Sequence, residues 1–112
     1  MDIRHLKRSE LLQKLFVLGF ESTHVDPQVM IIQENLPKID EEIRKHATRY
    51  PLDKLAKVDL AVLRLAMFEL MIEKKNPPKV IIDEAVTLAR EFGNEKSYSF
   101  VNGVLGSVLK QL

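Results

Sequence analysis

The residues of this chain whose types could carry chemistry are three histidines, two clusters of carboxylates and a basic start. His5, His24 and His46 stand 19 and 22 positions apart. None has a histidine or cysteine at i+3 or i+4, the local pairing that a zinc site on a helix requires. The chain has no cysteine, which excludes disulfides, thiolate ligands and thiol nucleophiles and fits a reducing compartment. Asp40-Glu41-Glu42 and Asp83-Glu84 read as solvated helix faces or as first-turn partners of a helix dipole. There is no glycine-rich phosphate loop and no nucleophile elbow. The expectation is a protein without a catalytic centre, metal or cofactor.

Binding is better supported. Arg4, Lys7, Arg8 and Lys14 stand against Asp2 and Glu10, with His5 and the amino terminus adding positive potential. The plain reading is a solvated helix end; the functional one is an electrostatic footprint for phosphates. A second candidate surface is the turn Phe92-Gly93-Asn94-Glu95-Lys96, where Phe92 either joins the core or stacks a base.

The elements that must position these residues read as helices. A stripe through Leu11, Leu15 and Leu18, flanked by Leu12 and Phe16, predicts a helix from about Ile3 to Leu18 stopped by Gly19. Continued backwards it meets Arg8 and Arg4, so the first two turns are expected to overhang the core. After a polar loop from Glu21 to His24, Asp26-Pro27 supplies an N-cap and N1 proline for a helix carrying Val29, Ile32, Leu36, Ile39 and Ile43. Leu36-Pro37 marks a kink or break in it. Pro51 opens a short helix with Leu52 and Leu55. Asp59 is expected to cap a central helix that is apolar from Leu60 to Ile72 except at Arg64 and Glu69. A helix apolar nearly all round is wrapped by others.

Asn76-Pro77-Pro78 sets up the next helix, whose apolar face is Val80, Ile81, Ala85, Leu88, Ala89 and Phe92, with Gly93 as a left-handed cap. Asn94 or Ser97 caps the last helix. There, Phe100, Val101, Val104, Leu105, Val108 and Leu109 keep helical spacing straight through Asn102-Gly103. Gly103 and Gly106 are read as sites of close helix approach.

At 112 residues the chain suffices for one domain with one modest core. It is 46% hydrophobic and 29% charged, too apolar for disorder and too charged for a membrane span. Seventeen Lys+Arg against sixteen Asp+Glu leave +1, so any basic surface must come from local clustering. No apolar h-region follows Met1, so the expected address is the cytoplasm.

Several stretches resemble the transcription antitermination factor NusB family. They are Ile39-Asp40-Glu41-Glu42-Ile43, Leu52-Asp53-Lys54-Leu55, the run from Val58 through Leu63-Arg64-Leu65 to Leu70, and Val80-Ile81-Ile82-Asp83-Glu84-Ala85-Val86. Ala89-Arg90-Glu91-Phe92-Gly93, Ser97 and Phe100-Val101-Asn102-Gly103-Val104-Leu105 follow in the same order, and the last run is specific. Gln13-Lys14-Leu15-Phe16 stands where the family has Gln-x-Leu-Tyr. The resemblance covers most of the chain.

It implies an all-α bundle of about six helices in two small helical subdomains, 1–48 and 49–112. It implies binding of boxA-type RNA together with the ribosomal protein NusE, within an RNA polymerase antitermination complex. The RNA-binding residues it implies are Arg4, His5, Lys7 and Arg8, with Phe92, Gly93, Asn94 and Lys96 in the later turn. Asp59 and Phe16 are the implied partner-binding residues. The free protein is expected to be a monomer rather than a homodimer, away from membranes.

The chain departs from the family in a thinned arginine cluster, in a shortened stretch between Phe20 and Gln33, and in Asp83 and Tyr50 where Asn and Trp are common. These departures leave a rival, a helical interaction scaffold that has lost RNA binding. A fused RNA methyltransferase is another relative of this fold, and no cofactor loop is present here to support it.

Overall fold

Proline, aspartate and asparagine set the starts of the helices that open at Ile3, Pro27, Leu36 and Pro78. The structure, a computed structural model, describes residues 2–18 and 26–112. Among them are six α-helices and no strand, as the periodicity predicts: α1 (Ile3–Leu18), α2 (Pro27–Glu34), α3 (Leu36–His46), α4 (Lys57–Phe68), α5 (Pro78–Phe92) and α6 (Ser97–Lys110). The expected stop at Gly19, the polar loop from Glu21 to His24 and the amino terminus lie outside the described residues. No described helix is long and apolar enough to cross a membrane.

Asp2 starts α1, its Oδ1 accepting from the Arg4 N–H at 2.9 Å. Asp26 does the same for α2, its Oδ1 accepting from Gln28 at 2.9 Å ahead of the N1 proline. The same carboxylate takes the Lys14 ammonium at 2.6 Å and so ties α1 to α2. The Lys14 contact, then the two backbone N–H groups, hold the Asp26 carboxyl below the usual range. Leu36-Pro37 breaks the chain between α2 and α3. Pro37 has no N–H to continue α2, and Asn35 closes the junction by donating Nδ2 to the Ile31 carbonyl at 2.8 Å.

α4 touches each of the other five helices. Val62 and Leu63 are fully buried on it, and Leu70 beyond its end is 8% exposed. One continuous apolar cluster joins Leu12, Ile32, Ile39 and Ile43 to α4 and then to Ile81, Leu88, Val101, Leu105 and Val108. Polar ties pin the same packing. Arg64 on α4 grips Asp40 of α3 through two hydrogen bonds of 2.9 Å, and His46 Nδ1 meets Ser107 Oγ of α6 at 2.8 Å.

The structure corrects several local expectations. The segment after Pro51 is a single 3₁₀ turn, Leu52–Lys54. The central helix begins earlier than expected, with Ala56 as N-cap, so Asp59 lies inside its first turn and does not cap it. That helix also changes winding after Phe68, passing into a π-type turn, Glu69–Glu73, that ends on Lys74 in left-handed conformation at φ 54°. On α5 the apolar face is rotated: Ile82 is buried, whereas Val80 and Phe92 are 40% and 38% exposed.

Gly93 is not left-handed, its φ and ψ being −94° and −166°. What requires glycine there is space, because a Cβ would stand 2.3 Å from Ser97 Oγ and 2.7 Å from the Ala89 carbonyl oxygen. No close approach exists at Gly103 or Gly106, where a Cβ would meet nothing within 4 Å.

The glycines therefore separate in a denaturation series. Gly93→Ala is expected to lose about 1–3 kcal/mol through forced displacement. Gly103→Ala should gain roughly 0.5–1 kcal/mol by removing a flexible residue from a helix interior. Leu63→Ala should lose about 2–5 kcal/mol, and a variant melting with the parent would contradict the central place given to α4.

Candidate nucleic-acid interface

α1 carries the basic cluster, and its rotation about its own axis decides what each cation can reach. Arg8 does not overhang the core as its place in the stripe predicts. Its guanidinium is buried against Glu69, with side-chain exposures of 9% and 8%. Nη2 donates to Oε1 at 2.8 Å, and Nε donates to both carboxylate oxygens at 3.0 and 3.1 Å. The lone acid in an otherwise apolar stretch of the central helix was the sequence signal for such a partner. A buried carboxylate needs a cation, and a planar guanidinium satisfies it in bidentate fashion.

His5 is also turned inward. Nδ1 meets the Glu84 carboxylate and Nε2 meets Glu91, two turns further along α5. Nothing in the local pattern around His5 announces partners 79 and 86 residues away. Because the two carboxylates approach opposite ring nitrogens, they cannot close on one ion together with the ring. Among the described residues no group of three ligating side chains could hold a metal.

Arg4 and Lys7 remain exposed, and neither makes a side-chain ion pair among the described residues. They are the cations of the cluster available to an outside anion. The second surface stands at the far end of α5. Asn94 Oδ1 accepts from the Lys96 N–H at 2.8 Å, and Ser97 Oγ accepts from the Asn94 N–H at 3.0 Å. These two bonds stiffen the turn and leave Asn94 and Lys96 exposed. Phe92 joins Leu12, Gln13, Phe16 and Val58 around an apolar groove of about 270 Å³. The residue is thus neither fully core nor free. Close by, the Arg90 guanidinium lies 4.2 Å from the centre of the half-exposed Tyr98 ring, a pairing that the sequence reading missed.

The His5–Glu91 contact links the two surfaces, joining the first turns of α1 to the last turns of α5. The two implied partner-binding residues are placed unequally. Phe16 is 36% exposed in the groove wall. Asp59 is buried, and its Oδ1 has no hydrogen-bond partner among the described residues. The positive end of α4 offsets part of that carboxylate's desolvation.

Both buried ties generate measurable consequences. Burial lowers the His5 pKa, but the hydrogen bonds and charges of Glu84 and Glu91 together outweigh it and hold the imidazole above its ordinary 6.5. A raised folded-state pKa favours the folded protein while the ring is protonated. That stabilisation should be complete below the unfolded value of about 6.5 and should fade as pH rises through the higher folded value. A pH series of melting curves should show this loss, and His5→Gln should flatten it. Arg8→Gln leaves Glu69 charged and buried without its partner, and should lower stability by about 3–5 kcal/mol in chemical denaturation.

Comparison with known proteins agrees with this architecture. Residues 11–110 match the model of the NusB family. A Bacillus licheniformis protein, Transcription antitermination protein NusB, is 36% identical over 112 residues, all of this chain and 87% of that protein. The protein of the same name from Pseudothermotoga lettingae is 40% identical over 97% of this chain and 71% of its own length. One from Treponema denticola is 42% identical over 73% of this chain, a match that spans 62% of that relative. Among solved structures, T. maritima NusB superposes with a TM-score of 0.86 at 32% identity, covering 96% of this chain and 91% of its own. With a family model spanning most of its length and relatives that agree in sequence and in fold, this chain belongs to the NusB family.

Proposed function

We propose that this protein is an RNA-binding antitermination factor that acts without catalysis in the cytoplasm. Its RNA is a boxA-type single strand of a ribosomal RNA leader, bound together with the NusE ribosomal protein in an antitermination complex with RNA polymerase. The relatives' name, Transcription antitermination protein NusB, supports the process. The observation that carries the RNA reading is that α1 keeps two uncommitted cations, Arg4 and Lys7, while His5 and Glu91 tie that helix to the end of α5, where a stiffened turn bears a half-exposed aromatic ring.

The residues divide by role. Arg4, Lys7 and Lys96 contact phosphates, and Phe92 stacks a base above Gly93 and Asn94. His5 and Arg8 act from within: their ion pairs set the rotation of α1, and with it the direction in which Arg4 and Lys7 project. Phe16 faces the partner at the groove. Asp59, being buried in the first turn of α4, acts on the partner only indirectly, through the adjacent groove wall at Val58.

Fluorescence anisotropy of a labelled boxA-type RNA across a salt series, with a melting curve for every variant, tests this reading. Replacing Arg4 and Lys7 with glutamine should leave the fold intact and lower the slope of log affinity against log salt by about 0.7 for each lost phosphate contact. Phe92→Ala should cost about 1–3 kcal/mol of binding with little change in slope. Unchanged affinity in the folded Arg4/Lys7 double variant would remove the α1 cations from the interface and favour the non-RNA scaffold.

A further inference from the structure

The free cations of α1 do not face the 92–96 turn. Arg4, Lys7 and Leu11 recur at helical spacing on one flank of α1, whereas His5, Leu12 and Phe16 occupy the flank turned to α5. The Arg4–Lys7 flank opens onto a separate cleft of about 240 Å³, closed on its other side by the π-type turn and by Lys75 and Asn76. Two carboxylates, Glu69 and Glu73, stand against four cations in that cleft, Arg4, Lys7, Arg8 and Lys75. Glu69 is held by Arg8 at 2.8 Å, and Glu73 lies 4.0 Å from the Lys75 ammonium. Arg4 and Lys7 are therefore not neutralised within it, and the cleft carries a net positive charge.

The loop that closes the cleft adds to this. Lys74 is exposed and occupies a left-handed position, φ 54° and ψ 36°, where glycine or asparagine fits with least strain. It is the only non-glycine residue with positive φ among those described. Lys75, at 75% side-chain exposure, follows it. Lys75 thus lines the cleft opposite Arg4 and Lys7, with exposed Lys74 next to it in the chain, and the cations of the cleft outnumber its acids. A polyanion with its charges regularly spaced matches this wall better than a compact ligand would.

We propose that the cleft is a second stretch of the nucleic-acid interface. In it the phosphates of a single-stranded RNA run between Arg4 and Lys7 on one side and Lys74 and Lys75 on the other, apart from the bases at the 92–96 turn. The proposal rests on the RNA-binding reading above. It differs from a purely structural role for the lysines, in which they compensate the carbonyl end of the central helix.

The test uses the full chain carrying Lys74→Asn and Lys75→Gln, since asparagine tolerates the left-handed backbone. Anisotropy titrations of boxA-type RNA across salt should give a slope lower by about 1.4, and near 0.1 M salt an affinity about 25-fold weaker. Parent-like slope and affinity in a folded double variant would overturn the proposal, as would a lowered melting temperature with an unchanged slope. Phe92→Ala separates the two levels: if it weakens RNA binding while the lysine pair does not, the RNA reading stands and the cleft falls. If the parent chain fails to bind the RNA at any salt, the RNA reading falls and takes the cleft with it.

Discussion

Among the described residues, the buried ion pair of Arg8 and Glu69 fixes α1 against the end of the central helix. Removing a guanidinium and a carboxylate from water costs several kcal/mol per ion, and only a well-formed bidentate contact offsets that loss. The geometry is of this kind, with Nε and Nη2 both donating to one carboxylate. Because Arg8 is fixed to the end of the central helix, α1 cannot rotate about its axis. One flank must then present Arg4 and Lys7 outward, and the other must bring His5 to Glu84 and Glu91. A stability contact thereby decides which cations are free to meet a ligand.

Glu69 stands where the central helix changes its winding, and this position has consequences for the backbone as well. Its carbonyl accepts the Lys74 N–H at 2.9 Å, the wider closure that defines the π-type turn, while its side chain holds Arg8. Short π-type insertions of this sort are frequent at functional sites, because they re-aim the residues that follow. Here the turn ends on left-handed Lys74 and leaves Lys75 on the wall of the cleft beside α1. The turn between α5 and α6 is shaped by a different constraint. Gly93 lets Ser97 come within a distance that no Cβ permits, and the hydroxyl then accepts the Asn94 N–H. The result is a tight corner that holds Phe92 half out of the core.

The apolar groove between Phe16 and Phe92 follows from both constraints. Leu12 is buried on the same flank as His5, so the exposed aromatic at the end of α1 and the one at the end of α5 face a shared space. Apolar side chains left half-exposed around a concave surface are characteristic of binding sites.

Local physics made the helices legible in the residues themselves. Val62, Leu63 and Leu65 forecast a wrapped central helix, Asp26-Pro27 forecast a start, and Pro37 forecast a break, because each acts within one or two turns of its own position. The basic character of α1 and the placement of the 92–96 turn were readable for the same reason. The fate of individual charges was not. Arg8 and Arg4 share one sequence stripe, yet one is buried on Glu69 and the other exposed, since a partner 61 residues from Arg8, together with the partner of His5 79 residues away, sets the rotation of the helix. Glycine carried the same ambiguity: Gly93 and Gly103 look alike in the chain, and only the packed neighbours show that one lacks room for a methyl group and the other does not. Periodicity determines which face of a helix seeks the core, but pairing of buried charges and the space around a backbone are set by tertiary contacts that no local spacing encodes.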